Sequence, residues 1–284
     1  MRAAILILAH KNVWQLEKLV KRLSQDFDIY IHADAKWDLN TALFKDYKNV
    51  FFVKRHSVNW GSYIQILATI ELFKASFACD YDYYLLISGH DLPIKSNAFI
   101  KEFITANKDM SFVNSELMPK KEWAGQGGGF DRLHYYFGID FRNNLAGILK
   151  RKALSFTQRI QLKYGLKRKL YPIKYYGGWN WVNLNRPAMQ YLIQFLAENP
   201  AFQRSFKYTY CADEIWLQTI LMNSSLPIVN DNLRFTAWEE HASHPKTLLS
   251  TDLDALKLSE GIFARKFDAE TDKDIINTVY KMTE

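Results

Sequence analysis

Two acids stand side by side in "CADEIW", Asp213 and Glu214, at the start of a helical pattern. Adjacent helix residues point about 100° apart, so the two side chains take different directions. One is suited to capping the helix or facing its dipole. The other could project into a cleft as a general base. Ordinary first-turn acids are the competing reading. A base is useful only where a leaving group is also stabilised. Lys246 in "HPKTLL" and Arg265 and Lys266 in "FARKFD" are the cations available for that. A departing diphosphate gathers negative charge, and two fixed cations can stabilise it as a divalent metal would. Arg offers a bidentate fork and Lys a point charge. Each could equally be part of a solvated basic surface.

Just upstream of His90-Asp91, "CDYDYY" carries metal-type spacing in Asp80-x-Asp82. Those acids precede an apolar run at 83–88. They therefore belong to the amino end of that strand, away from the edge where open α/β sheets bind ligands. His32-x-Asp34 and His90-Asp91 offer two ligands each, fewer than a hard cation wants. Neither His-Glu-x-x-His nor Cys-x-x-Cys is present. The expectation is a site without a metal or other cofactor.

These residues need a scaffold. "AAILILAH" (3–10) reads as a strand covered on both faces. Residues 13–25 carry an apolar helical stripe. Strands follow at 28–34, 50–55, 83–88 and 111–115, with helices at 60–77 and 99–107. A strand is expected at 177–185, helices at 186–199 and 212–224, and a strand region at 226–238. This alternation predicts an α/β fold with a mostly parallel sheet flanked by helices, in one domain over 1–284. Four strand ends carry polar groups: His10-Lys11, His32-x-Asp34, His90-Asp91 and Trp179-Asn180. Together they suggest a polar cleft on one edge. A lone Asp after a strand, however, caps the next turn more often than it binds a ligand.

The 284 residues are 48% apolar and 15% aromatic, enough for a sizeable core and for ring stacking on sugars or bases. The net charge of +7 fits anionic ligands, an acidic membrane surface or nucleic acid. No nucleic-acid motif accompanies it. Cys79 and Cys211 form neither a disulfide framework nor a zinc set, which points to a reducing cytoplasm. The first apolar run is too short for a signal core or a membrane span. Segment 125–172 opens glycine-rich and turns basic. It reads as a loop and a basic helix, with a solvated face or an acidic membrane surface as its two uses.

An ordered set of short segments resembles the core-2/I-branching β-1,6-N-acetylglucosaminyltransferases and their relatives, the peptide O-xylosyltransferases. In chain order these are "ILAHKN", "IHADAK", "NWGSYIQILATI", "LLISGHDLPIKS", "ELMP", "GGWNWVNLN", "ADEIW", "LRFTAW", "HPKTL" and "IFARKFD". The resemblance implies a GT-A type fold and inverting, metal-independent transfer from a UDP-sugar. It makes Glu214 the general base and sets Lys246 and Lys266 on the diphosphate, beside Arg265. Ala9, His10, Asp34, Trp60 and Ser62 would surround the donor, with Asp91 orienting groups near the sugar. Trp179, Asn180 and Trp238 would border sugar and acceptor, and Glu116 would face the acceptor. Animal members carry a membrane anchor, a stem and many cysteines, and an arginine where Lys246 stands. This chain is similar to a compact bacterial member, with 125–172 as a variable insertion.

The expected function is therefore transfer of a sugar, N-acetylglucosamine first among xylose, glucose and galactose. The acceptor would be a saccharide, carried on a lipid at the inner face of the cytoplasmic membrane, in surface polysaccharide or exopolysaccharide synthesis. A carbohydrate- or nucleotide-binding protein without turnover is the alternative. It would not need Glu214.

Overall fold

The opening apolar run forms β1 (Ala3–Ala9), and the expected alternation follows. It comprises α1 (Val13–Leu23), β2 (Asp28–Ala33), β3 (Val50–Phe52), α2 (Tyr63–Phe77), β4 (Tyr83–Ser88), β5 (Asp91–Pro93), α3 (Asn97–Ala106) and β6 (Ser111–Val113). A short β7 (Glu116–Leu117), α4 (Phe130–His134) and the long α5 (Leu145–Tyr164) lead to β8 (Tyr176–Gly177) and β9 (Val182–Asn185). Then come α6 (Arg186–Glu198), α7 (Pro200–Ser205), α8 (Trp216–Met222), β10 (Ile228–Val229) and β11 (Arg234–Thr236). The chain closes with α9 (Leu253–Leu258), β12 (Phe263–Arg265) and α10 (Lys273–Met282). The structure is a computed structural model and describes residues 1–140, 145–239 and 244–284.

Seven strands form one sheet in the order β10-β6-β9-β4-β1-β2-β3. Successive side chains of a strand point to opposite faces. Ile5 and Ile7 of β1 accordingly join a cluster with Leu16, Leu19 and Leu23 of α1 and Ile276 of α10. Ala4 and Leu6 join a second cluster with Ile66 and Phe73 of α2 and Trp216 and Ile220 of α8. Both faces of β1 are thus covered, and its sequence is uninterruptedly apolar for that reason. The Asn12 side chain starts α1 by accepting the Gln15 N–H at 3.1 Å.

Three expectations need adjustment. The strand expected at 177–185 is broken: β8 pairs with β7, while β9 enters the large sheet. The strand region at 226–238 divides between two sheets, β10 in the large one and β11 in a small sheet ordered β11-β12-β5. The helix expected at 212–224 opens as a 3-10 turn, Ala212–Glu214, before α8.

β9 is the antiparallel member beside β4, with Tyr83 opposite Asn185 and Leu85 opposite Asn183. It therefore runs back from the carboxyl end of β4. Residues 179–181, just before it, come by that register to the carboxyl end of β4, on the same edge as the carboxyl ends of β1 and β2.

Candidate active site

The carboxyl ends of β1, β2 and β4 meet through the backbone. The Asp34 N–H donates to the Ala9 carbonyl at 2.8 Å, and the Gly89 N–H to Leu8 at 2.9 Å. The His10 and His90 rings lie 5.0 Å apart there, and His10 is exposed. Asp34 is buried, and its Oδ1 accepts the Lys36 N–H at 2.8 Å, an Asx-type turn. His32 does not reach the cleft. It is buried within β2, and its Nε2 accepts the His56 N–H at 2.9 Å. Asp80 and Asp82 sit at the amino edge as expected: Asp80 pairs with Arg186, and Asp82 accepts the Arg2 N–H.

Asp91 is a correction. It is fully buried and cannot line the donor pocket. Its Oδ2 accepts the Ser88 N–H at 3.1 Å, and its Oδ1 lies 3.6 Å from the Arg265 Nε. Its pKa is raised by burial, and the charges of Arg265 and Arg234 oppose that. Arg265 stands opposite Asp91 across the β12–β5 pairing and stacks over Trp181, 4.2 Å from the ring centroid. Arg234 is buried as well and donates to Asn183 Oδ1 and to the Leu86 carbonyl. Asp91 thus neutralises two arginines beneath the cleft. Arg265 keeps some access to solvent, with 14% of its side chain exposed.

Lys246 is likewise committed elsewhere: its Nζ pairs with Asp252 at 2.8 Å. The backbone carbonyl of Lys266 accepts the Leu248 N–H, and the next residue, Phe267, donates to His90 O at 2.8 Å. This holds Lys266 beside the strand-end histidines. Ser62 is buried at the start of α2, where Asp140 faces it, so it does not line an open pocket. Ala9 is buried too. Trp60 is 67% exposed and meets Tyr210 edge-on.

Asp213 and Glu214 point apart, as adjacent helical residues should. Asp213 turns inward and accepts from Gln65 of α2 at 2.8 Å. Burial, then the neighbouring Glu214 charge, hold its carboxyl above the usual range. Glu214 turns outward, with 35% of its side chain exposed, and its Oε2 accepts from Arg132 at 2.6 Å. Two backbone bonds fix the turn: Cys211 N–H to Gly61 O and Gly178 N–H to Glu214 O, both 2.8 Å. Gly178 is required there, because a Cβ would meet the Asn114 carbonyl oxygen at 1.9 Å.

Arg132 comes from segment 125–172, which the sequence presents as a variable insertion. Gly127, Gly128 and Gly129 adopt φ of 56°, 65° and 96°, a run of left-handed turns that only glycine makes readily. They aim α4 so that Arg132 stacks on Trp123 at 4.0 Å while gripping Glu214. Lys120 covers the same ring at 4.7 Å and faces Glu116 at 3.8 Å. A continuous line, Glu116–Lys120–Trp123–Arg132–Glu214, therefore joins the expected acceptor-facing acid to the candidate base. Trp179 meets the half-exposed Trp238 edge-on at 5.5 Å. Asn180 is buried between its flanking tryptophans in sequence, and neither polar atom of its side chain has a partner. Among the described residues, no three His, Cys, Asp or Glu side chains come together as a metal-ligating group.

The profile of the core-2/I-branching enzymes matches residues 3–260. The chain belongs to that family. Among similar proteins, a xylosyltransferase of Ciona intestinalis is 23% identical over 304 residues, covering 96% of this chain and 33% of its own. Beta-glucuronosyltransferase GlcAT14A of Arabidopsis thaliana is 22% identical over 277 residues, covering 95% of this chain and 58% of that one. Xylosyltransferase 2 of Rattus norvegicus is 23% identical over 257 residues, with 84% and 26% covered. The chain thus spans from about a quarter to somewhat over half of these relatives. Among solved structures, S. aureus TarS aligns with TM-score 0.29 and 12% identity over 40% of this chain and 21% of its own. The 4-diphosphocytidyl-2C-methyl-D-erythritol synthase of Anaerococcus prevotii aligns with TM-score 0.40 and 14% identity, covering 90% and 96%.

Within this core-2/I-branching member, Glu214 is a clamped and accessible carboxylate. One carboxylate oxygen is clamped by Arg132, and the side chain is open to solvent on the cleft edge. The residues missed by sequence reasoning are Arg132, Trp123 and Gln65. The glycine run at 127–129 was the only local signal for the first two.

Proposed function

We propose that this chain is an inverting, metal-independent glycosyltransferase acting from a UDP-sugar on a saccharide hydroxyl, as one catalytic domain. The observation that carries the reading is the clamp of Arg132 on a solvent-open Glu214, in a chain of the core-2/I-branching family. In the reaction, Glu214 takes the proton of the acceptor hydroxyl through its unclamped oxygen. The acceptor oxygen bonds to the anomeric carbon from the face opposite UDP. The bond from that carbon to the diphosphate oxygen breaks, and its electron pair leaves with UDP. Lys266 and Arg265 face the growing phosphate charge, and Lys246 joins them on releasing Asp252. Trp60 and His10 hold the donor, and Trp179, Asn180, Trp238 and Glu116 border the acceptor.

N-acetylglucosamine remains the first donor to try. The xylosyl- and glucuronosyltransferase names of the relatives add UDP-xylose and UDP-glucuronic acid to a panel with UDP-glucose and UDP-galactose. A lipid-linked acceptor of polysaccharide synthesis belongs to the same proposal. The test is Glu214→Gln with the preferred donor. Transfer should fall by roughly two to four powers of ten with UDP binding retained. Unchanged transfer sinks the assignment.

A further inference from the structure

We propose that the outward face of α5 seats the protein on an anionic phospholipid surface. A water-facing helix normally buries its apolar stripe and shows its polar one. α5 does the reverse. Its less exposed positions are Gly147, Arg151, Leu154, Gln158, Ile160 and Gln161; all but Ile160 recur at helical spacing, and most are not apolar. On the opposite side, Leu145, Leu149 and Phe156 are 75%, 58% and 64% exposed. At about 100° per residue these three fall within one narrow sector.

Cations share that sector. Lys152 and Lys163 lie in it and Arg159 flanks it, all exposed. Leu166, Lys167 and Lys169 continue the pattern past the helix end. No Asp or Glu occurs between Asp140 and Glu198 to offset the charge. Exposed leucines and an aromatic ring among cations describe a helix that lies in a membrane interface, with headgroup phosphates as counter-charges. Among the described residues no helix is long and apolar enough to cross a membrane. A second copy of the chain fits this face poorly. A two-fold contact would bring Lys152, Arg159 and Lys163 against their own like charges.

This surface is argued from α5 alone and is tested without turnover, so it stands or falls separately from the transferase reading. The full chain is sedimented with phosphatidylcholine vesicles, with and without phosphatidylglycerol. Binding is expected only with phosphatidylglycerol and should weaken with salt. Leu149→Gln with Phe156→Gln, and separately Lys152→Gln with Arg159→Gln and Lys163→Gln, should each lower the partition coefficient about ten-fold or more. Circular dichroism should be unchanged, because every replaced side chain is exposed. Equal binding to neutral vesicles, or full retention by both variants, would overturn the proposal. So would a dimer in sedimentation velocity that the Leu149/Phe156 variant dissociates.

Discussion

Arg132 donates to Glu214 at 2.6 Å across 82 residues of chain, while its guanidinium sits over the Trp123 ring. The contact fixes where one carboxylate oxygen sits and therefore where the other can meet a hydroxyl. Arg132→Leu should lower kcat about ten- to a hundred-fold, the scale of a misplaced catalytic group, with the donor KM little changed. Arg132→Lys should recover only part, since Lys lacks the planar fork and stacks less well. A kcat equal to wild type in the leucine variant would remove Arg132 from the positioning of the base.

Asp91 should matter for folding more than for donor contact. It is the carboxylate between buried Arg234 and nearly buried Arg265. Asp91→Leu leaves both guanidinium groups unneutralised and should cost about 3–5 kcal/mol in urea unfolding, the usual scale for a broken buried pair. A loss below about 1 kcal/mol would mean that the arginines find other partners.

Acid should destabilise the protein through His32 and His90. Burial pushes both down to about 4. In the unfolded chain each titrates near ~6.5. Between those values the unfolded state binds protons that the folded state resists. The stabilising effect is therefore complete above about pH 6.5 and is lost as pH falls toward 4, on the order of 3 kcal/mol per histidine. Asp213, whose carboxyl is raised, has the opposite sign: its protonated form fits the fold, and stability falls as pH rises past the ordinary carboxylate range. Unfolding curves at several pH values should show a smaller acid loss in His90→Gln. An identical pH slope in wild type and variant would refute the assignment to His90.

Transfer should persist in excess chelator, because the proposed chemistry places cationic side chains on the diphosphate. Loss of activity on chelation, restored by manganese, would replace that scheme with a metal-bound donor.

Some of this was readable in the sequence and some was not. β1 was legible because a strand covered on both faces must be apolar throughout. The position of Asp80 and Asp82 followed once β4 was located, since strand direction fixes which end precedes it. That Asp213 and Glu214 would point apart was legible, because two adjacent helical acids cannot share one direction, but which of them faces outward was not. Asp91 was misjudged for a physical reason. Its partners are Arg234 and Arg265, more than 140 residues away, and a carboxylate that neutralises buried arginines looks, in sequence, like one that lines a cleft. Arg132 was invisible for another: left-handed glycine turns set its place and leave no hydrophobic period to follow.

The small sheet has a bearing on the order in which the protein comes off the ribosome. All seven strands of the large sheet have been synthesised once β10 ends at Val229. β12, which delivers Arg265 beside Asp91, arrives only with residues 263–265. Domains tend to fold as their chain emerges. The scaffold can therefore form while Asp91 still waits for both of its cations, Arg234 and then Arg265. The small sheet is thus a later addition to a finished large one, and the buried charges around Asp91 are balanced only after the scaffold that surrounds them is in place.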